Sequence, residues 1–122
     1  MKIEICNTPF DPWKEVAEYQ SASSSLSPGS FGACAVFVGT MRDFNEGDDV
    51  RSMELEYYPG MTENQLQALA RNASSDYGLL DLLLLHRVGE INPNDPIVLV
   101  AAWSAHRAEA LTVCREMMEM LK

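Results

Sequence analysis

The sequence has 122 residues, 47% of them hydrophobic and 22% charged, which argues against disorder over most of its length and fits one domain spanning residues 1–122. Eighteen acidic against nine basic residues leave a net charge of −9. A field of that sign repels polyanions and disfavours binding to nucleic acid, although a few local cations can still hold a small anionic molecule.

Residues 2–6 alternate, with Ile3 and Ile5 on one face, and predict a short strand. Asp11 is placed to cap a helix and Pro12 to open it, because proline's missing N–H costs little at the first helical position. Trp13, Val16, Ala17 and Gln20 share one side of that helix. The serine-rich stretch 20–30 reads as a loop too short to separate two domains. Residues 33–38 are apolar on both faces, so the strand over 32–40 is expected in the middle of a sheet. A polar loop follows over 41–49, and 51–58 alternates as a further strand with Met53, Leu55 and Tyr57 on one face. Thr62 is a candidate cap for a helix running to about Ser74, with Leu66, Leu69 and Ala70 as its apolar stripe. Residues 79–86 and 97–104 read as buried strands. The turn Asn92-Pro93-Asn94-Asp95-Pro96 lies between them, and Val88-Gly89 can reverse the chain directly after the first. A last helix starts near Ala105, with Ser104 as candidate cap, and runs to the end. The order β-α-β-β-α-β-β-α implies an α+β domain with a mostly antiparallel sheet and three helices.

Cys6, Cys34 and Cys114 are odd in number and widely spaced, with no CxxC pair, so neither a disulfide framework nor a zinc cluster is indicated. They are expected to be buried or half-buried thiols. No P-loop, GxGxxG or HExxH motif occurs, and the two histidines, His86 and His106, lie far apart. No metal or cofactor is therefore expected. The N-terminus lacks an apolar signal region, and the longest apolar runs are far below the ~20 residues of a membrane helix. A cytoplasmic protein with no membrane contact is the expectation.

Four basic positions sit at element ends. Arg42 follows the strand at 32–40. His86-Arg87 closes another strand and reads as structural. His106-Arg107 occupies the first turn of the last helix, where the dipole disfavours a cation unless an anion compensates. Lys122 ends that helix, where a lysine suits the dipole. Arg107 and Lys122 are 15 positions apart on one helix, roughly 22 Å at 1.5 Å per residue. If both serve one active site, two chains must supply it.

Four segments in order resemble the large, catalytic subunit of molybdopterin synthase: GACAVFVGTMRDFNEGDDV (residues 32–50), LEYYPGM (55–61), HRVGEI (86–91), and SAHRAEAL with the helix to MLK (104–122). The resemblance implies an α/β hammerhead-type fold and a homodimer at the centre of a heterotetramer. The partner is a ubiquitin-like small subunit bearing a C-terminal thiocarboxylate. The activity implied is sulfur transfer to cyclic pyranopterin monophosphate, which builds the molybdopterin dithiolene. Carried over by position, Thr40, Met41, Arg42, His106, Arg107 and Lys122 are the substrate-contacting residues, with Lys122 as the catalytic group. Arg42 and Lys122 of one chain are expected to meet His106 and Arg107 of the other. Family members continue past this lysine with a proline- and tryptophan-containing segment that holds a second lysine, and the chain is expected to lack it. Two other readings stay open: a shortened, non-catalytic relative that binds the small subunit, and an acidic interaction domain.

Overall fold

The structure, a computed structural model, describes residues 1–42, 53–55 and 61–121, with the backbone alone at 53–55, 61 and 62. The polar loop expected after Arg42, most of the strand expected over 51–58, and Lys122 lie outside the described residues.

The elements run β1 (Lys2–Cys6), α1 (Pro12–Ala22), β2 (Ala33–Thr40), β3 (Met53–Leu55), α2 (Met61–Tyr77), β4 (Asp81–Arg87), β5 (Gly89–Ile91), β6 (Pro96–Ser104) and α3 (Arg107–Met120). One turn of 3-10 helix, Ser24–Leu26, follows α1. β1, β4, β6 and β2 form one sheet in that order, and β3 pairs with β5 in a second, two-stranded sheet. β1 runs parallel to β4, while the other pairings are antiparallel. This is the expected α+β arrangement of three helices on a mostly antiparallel sheet.

The central strands explain the core. β4 and β6 alternate side chains to opposite faces, and both faces are covered. Leu82, Leu84, Val100 and Ala102 meet Leu66, Ala70 and Ala73 of α2 and Ala110, Val113 and Met117 of α3. On the other face Leu83, Leu85, Leu99, Ala101 and Trp103 meet Leu26, with Val16 and Tyr19 of α1 packed against them. Trp103, fully buried, stacks at a tilt on Tyr19 and donates its indole N–H to Gln20 Oε1 at 3.0 Å.

Asp81 ties the chain's start to this core. Its carboxylate accepts hydrogen bonds from Tyr19 Oη (2.7 Å), Ser23 Oγ and the Leu82 amide (2.8 Å), and pairs with the Met1 amine at 3.0 Å. Burial alone pushes its pKa up. The hydrogen bonds from Ser23, Tyr19, the terminal amine and Leu82 outweigh that and hold it below the ordinary value.

Several expectations need correction. Asp11 does cap α1, accepting from the Trp13 and Lys14 amides, with Pro12 at the helix start. Trp13 and Ala17 nevertheless face solvent, and Val16, Tyr19 and Gln20 turn inward, because the helix is seated on Trp103. The serine-rich stretch is partly helical, since α1 continues to Ala22 and Ser23 caps the 3-10 turn. Thr62 lies inside α2, which starts at Met61 and continues to Tyr77. Gly89, at φ +89°, does turn the chain, but the segment after it pairs as β5. Ser104 does not cap α3: its hydroxyl donates to the His106 carbonyl, and His106 takes the cap position without a side-chain cap bond. Cys34 is exposed and Cys6 half-buried, while Cys114 is buried. Finally, β2 is an edge strand and not a central one.

Candidate functional site

Thr40, Met41 and Arg42 sit together at the end of β2. The β2–β6 register slips between Gly39 and Thr40, so Thr40 lies beside Pro96 at the mouth of the 92–96 turn. Met41 is buried. Its amide donates to the Asp95 carbonyl at 2.9 Å, and its carbonyl accepts from the Asn94 amide at 2.8 Å. Asn94 adopts a left-handed conformation, φ 74°, which asparagine tolerates and which lets the turn fold over Met41. With Met41 clamped, Arg42 emerges at the surface from a fixed backbone.

The clamp is backed by Arg87, which is 94% buried. Its Nη2 donates to the Glu90 carbonyl at 2.9 Å, and its Nη1 faces the Asp95 carboxylate at 3.9 Å. The Asp95 carboxylate in turn accepts from the Asn92 amide at 3.0 Å. Arg87 thus braces the turn on which Met41 hangs. Neighbouring His86 is partly buried, and burial pushes its pKa below the ordinary value. The structural reading of His86-Arg87 holds, but its connection to Arg42 through Asp95 and Met41 gives no signal in residue spacing.

His106 and Arg107 sit together at the opposite end of the sheet. Ser104, the last residue of β6, lies beside Ala33, the first of β2. The Gly32 amide donates to the Ser104 carbonyl at 3.0 Å. A Cβ at Gly32 would collide with the Ala105 carbonyl oxygen, so only glycine lets the 104–106 turn approach this closely. His106 is extended (φ −127°, ψ 153°), and Arg107 opens α3; both are exposed. The first amides of α3 carry the positive end of the helix dipole, so this corner favours an anion.

The structure therefore brings Thr40 to Arg42 together, and His106 to Arg107 together, but not the two groups with each other. They lie at opposite ends of β2, whose eight residues span about 23 Å at 3.3 Å per residue. α3 starts beyond Ser104 and runs back over the sheet, since the Cys114 thiol lies 3.9 Å from the Val100 carbonyl. The last described residue of the chain, Leu121, packs against the core cluster beneath α2 and α3. Lys122 is outside the described residues. Among the described residues, no three His, Cys, Asp or Glu side chains stand together as a metal site, and no helix is long and apolar enough to cross a membrane.

These features define a class: an acidic α+β protein that holds Arg42 and the pair His106-Arg107 at opposite ends of one edge strand. The chain belongs to the family described as MoaE protein, whose model matches residues 6–122. It is 42% identical over 98% of its length to the molybdopterin synthase catalytic subunit of Ralstonia nicotianae, and spans 65% of that protein. It is 41% identical over its whole length to the molybdopterin synthase catalytic subunit of Pseudomonas aeruginosa, covering 78% of it. Among solved structures, a molybdopterin biosynthesis MoaE protein from Burkholderia ambifaria superposes with a TM-score of 0.83 at 39% identity, covering 99% of this chain and 76% of that one. The molybdopterin synthase of Staphylococcus aureus gives 0.80 at 26% identity, over 99% and 84%.

Proposed function

We propose that this chain is the catalytic subunit of a cytoplasmic molybdopterin synthase, with residues 1–122 acting as one domain. It moves sulfur from the C-terminal thiocarboxylate of a ubiquitin-like small subunit onto cyclic pyranopterin monophosphate, twice, to form the dithiolene. The family membership supports the reaction. The observation that carries the site is the separation of the two basic corners. Both substrates are anionic, and arginine binds phosphate and carboxylate-like groups by charge-assisted, forked hydrogen bonds. Each corner by itself offers only one or two cations within a chain of net charge −9. In a homodimer, Arg42 of one chain joins His106 and Arg107 of the other, giving two equivalent sites. Lys122, next in sequence after Leu121, pairs with the thiocarboxylate or transfers a proton.

Mixing tests this. Arg42→Ala and Arg107→Ala proteins, each with little sulfur transfer alone, are unfolded together, refolded and assayed with thiocarboxylated small subunit and pterin precursor. Sites shared between chains leave one intact site in each mixed dimer, so random pairing restores about one quarter of wild-type turnover. A mixture no better than either variant places each site within one chain. Binding of the small subunit by the wild-type chain with no product supports the non-catalytic reading instead. Near-normal turnover in Lys122→Ala removes that residue from the mechanism.

A further inference from the structure

The turn between β5 and β6 is built around one backbone conformation. The Asp95 amide donates to the Asn92 carbonyl at 3.0 Å, closing a four-residue turn with Pro93 and Asn94 at its centre. Proline fixes its own φ at about −65°, and Asn94 has φ 74°. A positive φ at the second central position, after a proline at the first, is the signature of a type II turn. The ends of the turn are held separately. The Asp95 carboxylate accepts from the Asn92 amide at 3.0 Å, and the buried Arg87 faces it.

Types I and II differ by turning over the peptide that joins the two central residues. Here that peptide carries the Asn94 N–H, which donates to the Met41 carbonyl at 2.8 Å. Met41 is only 3% exposed, so its carbonyl depends on a donor from the protein. β6 offers no substitute. The β2–β6 register slips after Gly39, and the residue beside Thr40 is Pro96, which has no N–H. The Asn94 side chain is exposed, so this residue acts on Met41 through its backbone.

We infer that Asn94 is a positioning residue for Arg42. Its left-handed backbone holds the turn peptide in the orientation that reaches Met41, and so fixes the point from which Arg42 leaves the fold. This rests on the reading of Arg42 as a substrate-contacting residue. Glycine adopts a positive φ freely and asparagine tolerates it, whereas a β-branched residue avoids it. Such a residue turns the central peptide over, converts the turn to type I and points the N–H away from Met41. The bond between Asn92 and Asp95 survives, because both turn types keep it. The loss is therefore local. The Met41 carbonyl is left without its donor, and Arg42, the next residue along, gains backbone freedom. An anionic group of the substrate then meets a guanidinium that must first be ordered, which weakens binding.

The test compares Asn94→Gly with Asn94→Val, each with and without Arg42→Ala, in the full chain assayed with thiocarboxylated small subunit and pterin precursor. Nuclear magnetic resonance reads the turn directly, through hydrogen exchange of the residue 94 amide and the backbone order of Arg42. Asn94→Gly is expected to keep both, and to keep the wild-type kcat/KM for the pterin. Asn94→Val is expected to speed exchange at residue 94 about tenfold or more and to lower the order of Arg42. It is expected to lower kcat/KM about 10–100-fold, chiefly through KM, while far-ultraviolet circular dichroism stays native. In the Arg42→Ala background Asn94→Val adds no further loss, because the group it positions is gone. An Asn94→Val protein with wild-type exchange or wild-type kcat/KM overturns the inference. So does a loss that is undiminished without Arg42, and so does an Asn94→Gly protein as impaired as Asn94→Val. If the wild-type chain transfers no sulfur, the proposed reaction fails, and the exchange and order comparison decides the positioning by itself.

Discussion

Gly32→Ala is the perturbation whose effect follows most directly from the geometry. The new Cβ points at the Ala105 carbonyl oxygen, well inside the 3.0 Å that real Cβ contacts respect, and its carbonyl carbon is only 3.4 Å away. The neighbour is backbone, so no side chain can swing aside. The 104–106 turn must retreat or the start of β2 must bend outward. Overpacking of this kind costs about 1–3 kcal/mol. At roughly 4 °C per kcal/mol for a domain of this size, the melting temperature falls by about 4–12 °C. The same retreat moves His106 and Arg107, and a displacement on the order of 1 Å lowers turnover about 100-fold where binding groups must converge. Urea denaturation gives the first quantity and the sulfur-transfer assay the second. Gly29→Ala is the control. Gly29 has φ +84° but nothing within 4 Å, so alanine there costs about 1 kcal/mol of backbone strain and leaves turnover alone. If Gly32→Ala keeps both stability within 0.5 kcal/mol and full turnover, the close approach of β2 to the turn is not what positions the basic pair.

Trp103→Ala empties a fully buried site beside Tyr19 and leaves the Gln20 amide unpaired, so unfolding free energy drops by about 3–5 kcal/mol in denaturant titration. Asp81→Asn removes the charge that holds the Met1 amine and weakens the bonds from Tyr19 and Ser23, a loss of about 1–3 kcal/mol read the same way. Acid sensitivity has a defined sign. His86 titrates below its ordinary 6.5 because it is buried, so below pH 6.5 the unfolded chain takes up the proton first and stability falls. Asp81, held below 3.8, contributes stability that is present above that value and lost as pH drops through its folded-state pKa. The urea midpoint is therefore lower at pH 5.5 than at pH 7, and His86→Gln shrinks that difference; an unchanged difference refutes the assignment to His86. Arg87→Met unbraces the 92–96 turn. It is expected to raise the KM for the pterin more than it lowers kcat, a split that a purely global loss of stability does not produce.

How much of this was legible beforehand follows from the range of each interaction. Alternation locates β1 and a 3.6-residue stripe locates α2, while unbroken apolar runs locate β4 and β6, because each of these signals lies within a short window. The cap at Asp11 and the proline after it act over three residues, and they behave as read. The face of α1 differs from the one its local pattern predicts because what α1 meets, Trp103, stands more than 80 positions away. His106 and Arg107 stand out by their place at a helix start, where a cation is disfavoured, but the pattern also fits two surface residues, and the resemblance to a family decides between the readings.

From local order alone, the chain determined its elements, its apolar stripes and the identity of its few cations. Tertiary structure alone decided that β2 lies outermost, that Gly32 yields its side-chain space to Ala105, and that the two basic corners stand at opposite ends of one strand. Those facts depend on which distant segments share a sheet, and backbone pairing between them is not encoded in the spacing of any one segment.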